Sequence, residues 1–314
     1  MKKFLNKVRG KLFLNAMTRI LEEKTKILQE ENAAFRSEVS DLRKELYRVS
    51  GEISSSISSQ IYLQNVKIGE ICSKIASAQV INRETFLPYK NFGKDKSIVI
   101  CGAGPSLQNY VPFDSQSIHI ALNRAFLYEK AQFDFVFVQD FDGIRLFQDE
   151  LIEYRKESCV KLFAYQYGKK EWNEWLYKKN TPEQFIEKCG GKRFVTDIFY
   201  QNDLYDCDFI PDIAYRPVGN FSNVALDCLQ FALYMNPKKI YLVGLDCSGN
   251  HFVQKDGADD EDQTEYWEKT KDWTLDEYVR FKEFANQFYP DTQIISVNPV
   301  GLKGVFTDWY QSEK

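Results

Sequence analysis

The chain has 314 residues, with 41 Lys and Arg against 45 Asp and Glu and a formal net charge of -4. Hydrophobic residues make up 44% and aromatic residues 15%, enough to build a sizeable core, which excludes general disorder. The mild acidity excludes a dedicated nucleic-acid binder, which needs a dense basic face, and no apolar run reaches the roughly 18–20 residues of a bilayer span.

The Met1 segment lacks the continuous apolar stretch and small-residue cleavage site of a secretory signal. Cysteines stand at Cys72, Cys101, Cys159, Cys189, Cys207, Cys228 and Cys247. Their odd number, with no C-x-x-C pair, fits reduced thiols in a cytoplasmic protein rather than a disulfide framework or a zinc site.

Residues 1–20 carry Lys2, Lys3, Lys7, Arg9, Lys11 and Arg19 before the first acid, Glu22. Phe4, Leu5, Val8, Leu12, Phe13 and Met17 recur at roughly helical spacing. Such a basic amphipathic helix either lies on the anionic inner face of a bacterial membrane or forms the solvated end of a coiled coil.

From Leu21 a heptad pattern begins. One seam runs Leu21, Leu28, Phe35, Leu42 and Val49; the other runs Thr25, Asn32, Val39, Leu46 and Ile53. Alternating steps of four and three make a coiled-coil seam, and a wet apolar stripe of this length implies self-association or an arm folded back on its own body. The Ser-rich stretch 50–60 interrupts the pattern before a second helical stretch. Residues 1–78 thus read as an oligomerisation arm and 79–95, with Pro88 and Gly93, as a linker.

Residues 96–314 read as the globular body. Apolar, β-branched runs predict strands at Ser97–Cys101, Ile118–Leu122, Phe135–Val138, Val160–Ala164, Lys239–Val243 and Gln293–Val297. Helices are expected from about Ser222 to Met235, with Ser222 as a candidate cap, and from about Leu275 to Phe288, capped by Thr274 with Glu277 three residues later. The alternation implies an α/β fold: a Rossmann-like, mostly parallel sheet with helices on both faces, preceded by the helical coiled coil. Ligands in such folds bind beyond the carboxyl ends of the strands, so the residues just after each strand are the informative ones.

Strand one leads into Gly102, Ala103, Gly104, Pro105, Ser106 and Leu107, a tight turn whose amides and Ser106 hydroxyl suit an anion. It lacks the third glycine of a dinucleotide fingerprint and the Gly-Lys-Ser/Thr of a P-loop. Strand two leads into Asn123 and Arg124, and strand three into Gln139, Asp140 and Asp142. The amides of Asn123 and Gln139 suit a base or ribose. Asp140 and Asp142 are either ligands for a divalent metal bridging a diphosphate or a helix cap with a solvated acid. Gly219, Asn220, Phe221, Ser222 and Asn223 open the apolar helix and form a second anion or base site, or its cap. Gly244 and Asp246 follow the fifth strand, and Asp246 is a candidate catalytic residue, an acid that can grip a sugar hydroxyl, orient a catalytic group or bind metal; His251 stands a few residues on, where it can act as general base or acid. His119, inside a strand, reads as a core residue.

The blocks Gly102–Leu107, Leu122–Phe126, Gly219–Val224 and Ile240–Asp246 stand in the order seen in bacterial CMP-sialic acid-dependent sialyltransferases, glycosyltransferase family 42, which the chain resembles over about residues 96–306. They also resemble a related group of Maf-like and hydroxymethylpterin pyrophosphokinase-like domains. The resemblance implies a nucleotide-sugar glycosyltransferase, most simply one using a CMP-linked acidic sugar and no cofactor, with Gly104, Ser106, Asn123, Gln139 and Ser222 around the nucleotide. The acceptor implied is a surface glycan or a lipid-linked glycan. The family's histidine before the final helix is absent from Lys269–Trp273, so the base falls to His251 or to Asp272. A Mg-ATP-dependent pyrophosphokinase, or a non-catalytic assembly protein, is the alternative.

Overall fold

The computed structural model describes residues 2–139, 144–165, 182–197, 209–219, 223–248, 251–253 and 260–311. Residues 1–70 form one unit and residues 71–314 another.

The first unit is helical. Helix α1 runs Lys2–Phe86, so its last turns belong to the second unit. It stays helical through the Ser-rich stretch 50–60, where apolar residues continue at Ile53, Ile57 and Ile61 in steps of four. Along the heptad seams Leu28, Phe35 and Leu42 are each 64% exposed, so the stripe is wet within this chain. Among the described residues no helix is long and apolar enough to cross a membrane.

Among the described residues the second unit is built on nine strands: β1 Ser97–Cys101, β2 Ile118–Leu122, β3 Phe135–Val138, β4 Val160–Tyr165, β5 Lys192–Asp197, β6 Val218–Gly219, β7 Lys239–Val243, β8 Gln293–Val297 and β9 Thr307–Trp309. They form one sheet in the order β6-β5-β4-β3-β2-β1-β7-β8-β9, and every pairing is parallel. The six expected strands match β1 to β4, β7 and β8. They are apolar at nearly every position because both faces are covered, as a parallel sheet demands.

Among the described residues the remaining α-helices are α2 Gln148–Glu153, α3 Pro182–Lys188, α4 Val224–Tyr234 and α5 Asp260–Phe288. On one face α4, α5 and the end of α1 pack over Ile98, Ile100, Ile120, Phe135 and Phe137. The other face carries Val99, Cys101, Ala121, Val136 and Val138 under Phe126, Phe147, Leu151 and Phe185. Helix α4 is apolar almost all round and buried almost all round, which is the physical meaning of its lack of a polar face. His119 lies in the second layer, its ring nitrogens 3.2 Å from Tyr110 Oη and 3.2 Å from the Ser117 carbonyl.

Three expectations change. Over 79–95 the chain is not a loose linker: Asn82, Thr85 and Phe86 are buried, and Asn82 Nδ2 donates to the Arg216 carbonyl at 2.9 Å. Helix α4 is capped one residue later than expected, by Asn223: Asn223 Oδ1 accepts from the Ala225 N–H at 2.9 Å. Helix α5 starts at Asp260, so Thr274 and Glu277 lie buried within it rather than capping its start. Its stretch before Leu275 is strongly charged, which hides a helix from a reading based on apolar spacing.

The strand order reverses between β1 and β7. The chain steps outward from β1 to β6, then returns through α4 to lay β7 on the other side of β1. In an open parallel sheet the crevice at the carboxyl end of this switch point is where ligands bind.

Candidate functional site at the switch point

The turns that follow β1 and β7 interlock. Gly102 N–H donates to the Val243 carbonyl at 2.8 Å, and Gly104 N–H donates to the Gly244 carbonyl at 2.9 Å. Gly244 has φ +66, the left-handed region that favours glycine. A Cβ on Gly104 would stand 2.6 Å from Asp246 Oδ2 and 2.7 Å from the Gly244 carbonyl oxygen, so the close approach itself requires glycine.

Asp246 closes the interlock. Its Oδ2 accepts from the Ser106 N–H at 2.7 Å, and its Oδ1 accepts from the Ser106 hydroxyl. Leu107 N–H turns back to the Gly104 carbonyl at 3.0 Å. This corrects the expected anion site. The donors at Gly104, Ser106 and Leu107 are spent inside the protein, and a resident carboxylate occupies the start of the short 3-10 turn Pro105–Asn109. Asp246, buried and engaged twice, has the surroundings of a positioning group rather than of a base.

The loop after β7 folds back over the same turn. Phe252 N–H donates to the Ala103 carbonyl at 2.9 Å, and Gln108 Nε2 donates to the Phe252 carbonyl at 3.1 Å. His251, half-buried, therefore stands beside the Gly102–Leu107 turn. Arg124 is buried, lies 5.4 Å over the Phe147 ring and reaches the Val253 carbonyl at 3.5 Å with Nη1. Asn123, the first residue after β2, has φ +46. Its Oδ1 is buried without a hydrogen-bond partner. A buried amide oxygen left unpaired costs about 1–3 kcal/mol. Gln139, just after β3, is buried on the neighbouring strand end.

Other expected residues are placed apart from this group. Gly219 ends β6 at the sheet edge, with β5, β4, β3 and β2 between it and β1. At about 4.8 Å per strand that is about 24 Å along the same carboxyl rim. Asn223 spends both halves of its amide, on the Ala225 N–H and on Tyr278 Oη at 3.1 Å. Asn220, Phe221, Ser222, Asp140 and Asp142 lie outside the described residues, as does Cys207. Asp272 is exposed on α5. Among the described residues no group of three or more His, Cys, Asp or Glu is gathered to hold a metal ion.

The other described cysteines are free thiols, and burial raises the pKa of Cys247, beside Asp246, to about 12, so it is protonated at neutral pH. The feature that sequence reasoning missed is the Ser106–Asp246 pair. Each residue is conspicuous alone, but their pairing needs the knowledge that β7 returns to lie beside β1.

No family model matches the chain, and no curated protein matches it. Among solved structures it is similar to the sialyltransferase CstII from Campylobacter jejuni in complex with the substrate analogue CMP-3FNeuAc, at 17% identity and a TM-score of 0.37, covering 64% of this chain and 80% of that one. The same enzyme with cytidine-5'-monophosphate gives 18% identity, a TM-score of 0.35, and 64% and 79% coverage. The sialyltransferase CST-II with a trisaccharide acceptor and CMP gives 17%, 0.37, 64% and 80%. At these values the assignment of an α/β parallel-sheet fold rests on the strand pairings themselves and not on the likeness.

Proposed function

We propose that the chain is a glycosyltransferase that moves a sugar, a sialic acid or related acidic sugar, from a CMP-linked donor to a surface-glycan or lipid-linked acceptor. The single observation that supports this most is the convergence of Ala103, Asn123, Arg124 and the His251–Val253 segment at the switch point, with Asn123 Oδ1 buried and unpaired. Those residues fall in or beside the motif blocks that resemble the CMP-sialic acid-dependent enzymes.

In this reading Asn123 and Gln139 read the base or ribose, and the rigid backbone of Gly102–Pro105 shapes the floor of the crevice. The Arg124 guanidinium supplies positive charge toward the departing phosphate. His251 removes the proton from the acceptor hydroxyl as it displaces the nucleotide at the anomeric carbon. Asp246 holds the floor in shape through Ser106 and takes no part in proton transfer. The Lys-rich residues 1–20 hold the enzyme at the inner face of a membrane, near a lipid-linked acceptor.

The test is transfer from CMP-sialic acid to a glycan acceptor by the intact chain and by His251→Gln. Transfer by the native chain that falls at least about a hundredfold in the variant, with CMP affinity kept, is the expected result. Stabilisation by ATP with Mg²⁺ and not by CMP would point instead to phosphoryl transfer.

A further inference from the structure

The seam on α1 has a second feature independent of its apolar residues. Steps of three from Thr25 to Leu28 and four from Leu28 to Asn32 assign Thr25, Asn32, Val39, Leu46 and Ile53 to heptad position a. Leu21, Leu28, Phe35, Leu42 and Val49 then occupy position d. The flanking g positions are Lys24, Glu31, Glu38, Glu45 and Glu52, and the e positions are Glu22, Gln29, Arg36, Arg43 and Ser50.

In a parallel, in-register pair each g residue faces the e residue five places on in the partner helix. Glu31 then meets Arg36 and Glu38 meets Arg43, on both sides of the seam. In an antiparallel pair g faces g and e faces e, so Glu31 and Glu38 lose their arginine partners and face g residues that are glutamate at all but Lys24.

The pattern of ion pairs within the chain agrees. Lys26–Glu30, Asp41–Lys44 and Arg48 with Glu45 and Glu52 form pairs along the helix surface. Among the described residues Glu31, Arg36, Glu38 and Arg43 take part in none. Asn32 is the single amide at position a in an otherwise Thr, Val, Leu and Ile series, and Leu dominates position d. An Asn at a, with β-branched residues at a and Leu at d, specifies two parallel strands in one register. The seam hydroxyl of Thr25 is satisfied locally, since Thr25 Oγ1 donates to the Leu21 carbonyl at 2.7 Å.

From this charge complementarity we infer that residues 18–53 of α1 pair with the same residues of a second copy of this chain, as a parallel, in-register, two-stranded coiled coil.

Two charge-reversed full-length variants test it. Glu31→Lys with Glu38→Lys places lysine against arginine in every homodimer contact; Arg36→Glu with Arg43→Glu places glutamate against glutamate. Each alone should dimerise at least about tenfold more weakly than the native chain in sedimentation at low salt, and an equimolar mixture should recover native affinity as the heterodimer. Recovery on mixing cannot come from a misfolded variant. Orientation is read from Leu28→Cys in a Cys72→Ser background, which should oxidise to a disulfide-linked dimer where the Cys72→Ser parent does not. A native chain that sediments as a monomer or a trimer, a mixture that stays weak, or a Leu28→Cys chain that fails to cross-link would each overturn the inference.

Discussion

Asp246 and Ser106 are joined twice across the switch point. One carboxylate oxygen takes the Ser106 N–H at 2.7 Å and the other takes its hydroxyl. The two residues belong to turns that follow different strands, β7 and β1, so the pair ties together the two halves of the sheet where the strand order reverses. It also decides what the Gly102–Leu107 turn is for. A free turn of this kind would be a seat for a phosphate; here the carboxylate of Asp246 already takes the Ser106 donors.

Removing that carboxylate should therefore cost stability before it costs chemistry. Asp246→Ala leaves the Ser106 N–H and hydroxyl without their partner. A loss of about 2–4 kcal/mol is expected, from charge-assisted bonds of about 1.5–3 kcal/mol each and incomplete replacement by water. Urea denaturation measures it. Asp246→Asn, which keeps one acceptor, should lose less and should retain transfer; loss of transfer with stability intact would make Asp246 a catalytic residue instead.

Glycine at 104 should not be replaceable. Gly104→Ala drives a Cβ to 2.7 Å from the backbone oxygen of Gly244, which cannot swing away as a side chain can. A destabilisation of about 1–3 kcal/mol by overpacking is expected. Gly51→Ala makes the contrast: nothing lies within 4 Å of the added methyl on the exposed face of α1, and a helix interior gains about 1 kcal/mol from Ala over Gly. Denaturation curves of the two variants should move in opposite directions.

Asp227 makes a pH-dependent prediction. Its carboxyl is fully buried in α4 with neither oxygen partnered, and desolvation raises its pKa well above the ordinary value. The folded protein therefore holds a proton that the unfolded chain releases from about pH 4 upward. Stability from this group is fully present below that pH and declines as pH rises toward the folded pKa. Asp227→Asn, of the same shape and uncharged, should match the native chain near pH 4 and exceed it in urea midpoint at pH 7. A variant weaker than the native chain at pH 7 would contradict the account of Asp227 as a buried acid held neutral.

Much of this architecture was legible in the residues. Strands β1 to β4, β7 and β8 are short runs of Ile, Val, Leu and Phe, two of them (β1 and β7) closed by glycine, because burial on both faces leaves little room for polar side chains. Strand β5 escaped notice because Lys192, Arg193 and Asp197 sit at its ends near the sheet edge, and β6 and β9 because they are too brief to show a pattern. Helix α4 was visible by its unbroken apolar character, but its cap was not: Ser222 and Asn223 are both good caps, and only the hydrogen bond to Ala225 distinguishes them. At the site, Asn123, Arg124 and His251 could be singled out as residues at strand ends. The separation of Gly219 from β1 could not, since it depends on the order in which strands are laid beside one another.

Binding of CMP to the intact chain and to Asn123→Ala, followed by isothermal titration without added metal, tests the central claim most directly. The account requires one CMP per chain for the native protein and an affinity at least about tenfold weaker for the variant, as the loss of one buried hydrogen bond of about 1.4 kcal/mol gives. Equal affinity in the two proteins, or no CMP binding by a folded native chain, would contradict a nucleotide site at the β1–β7 switch point.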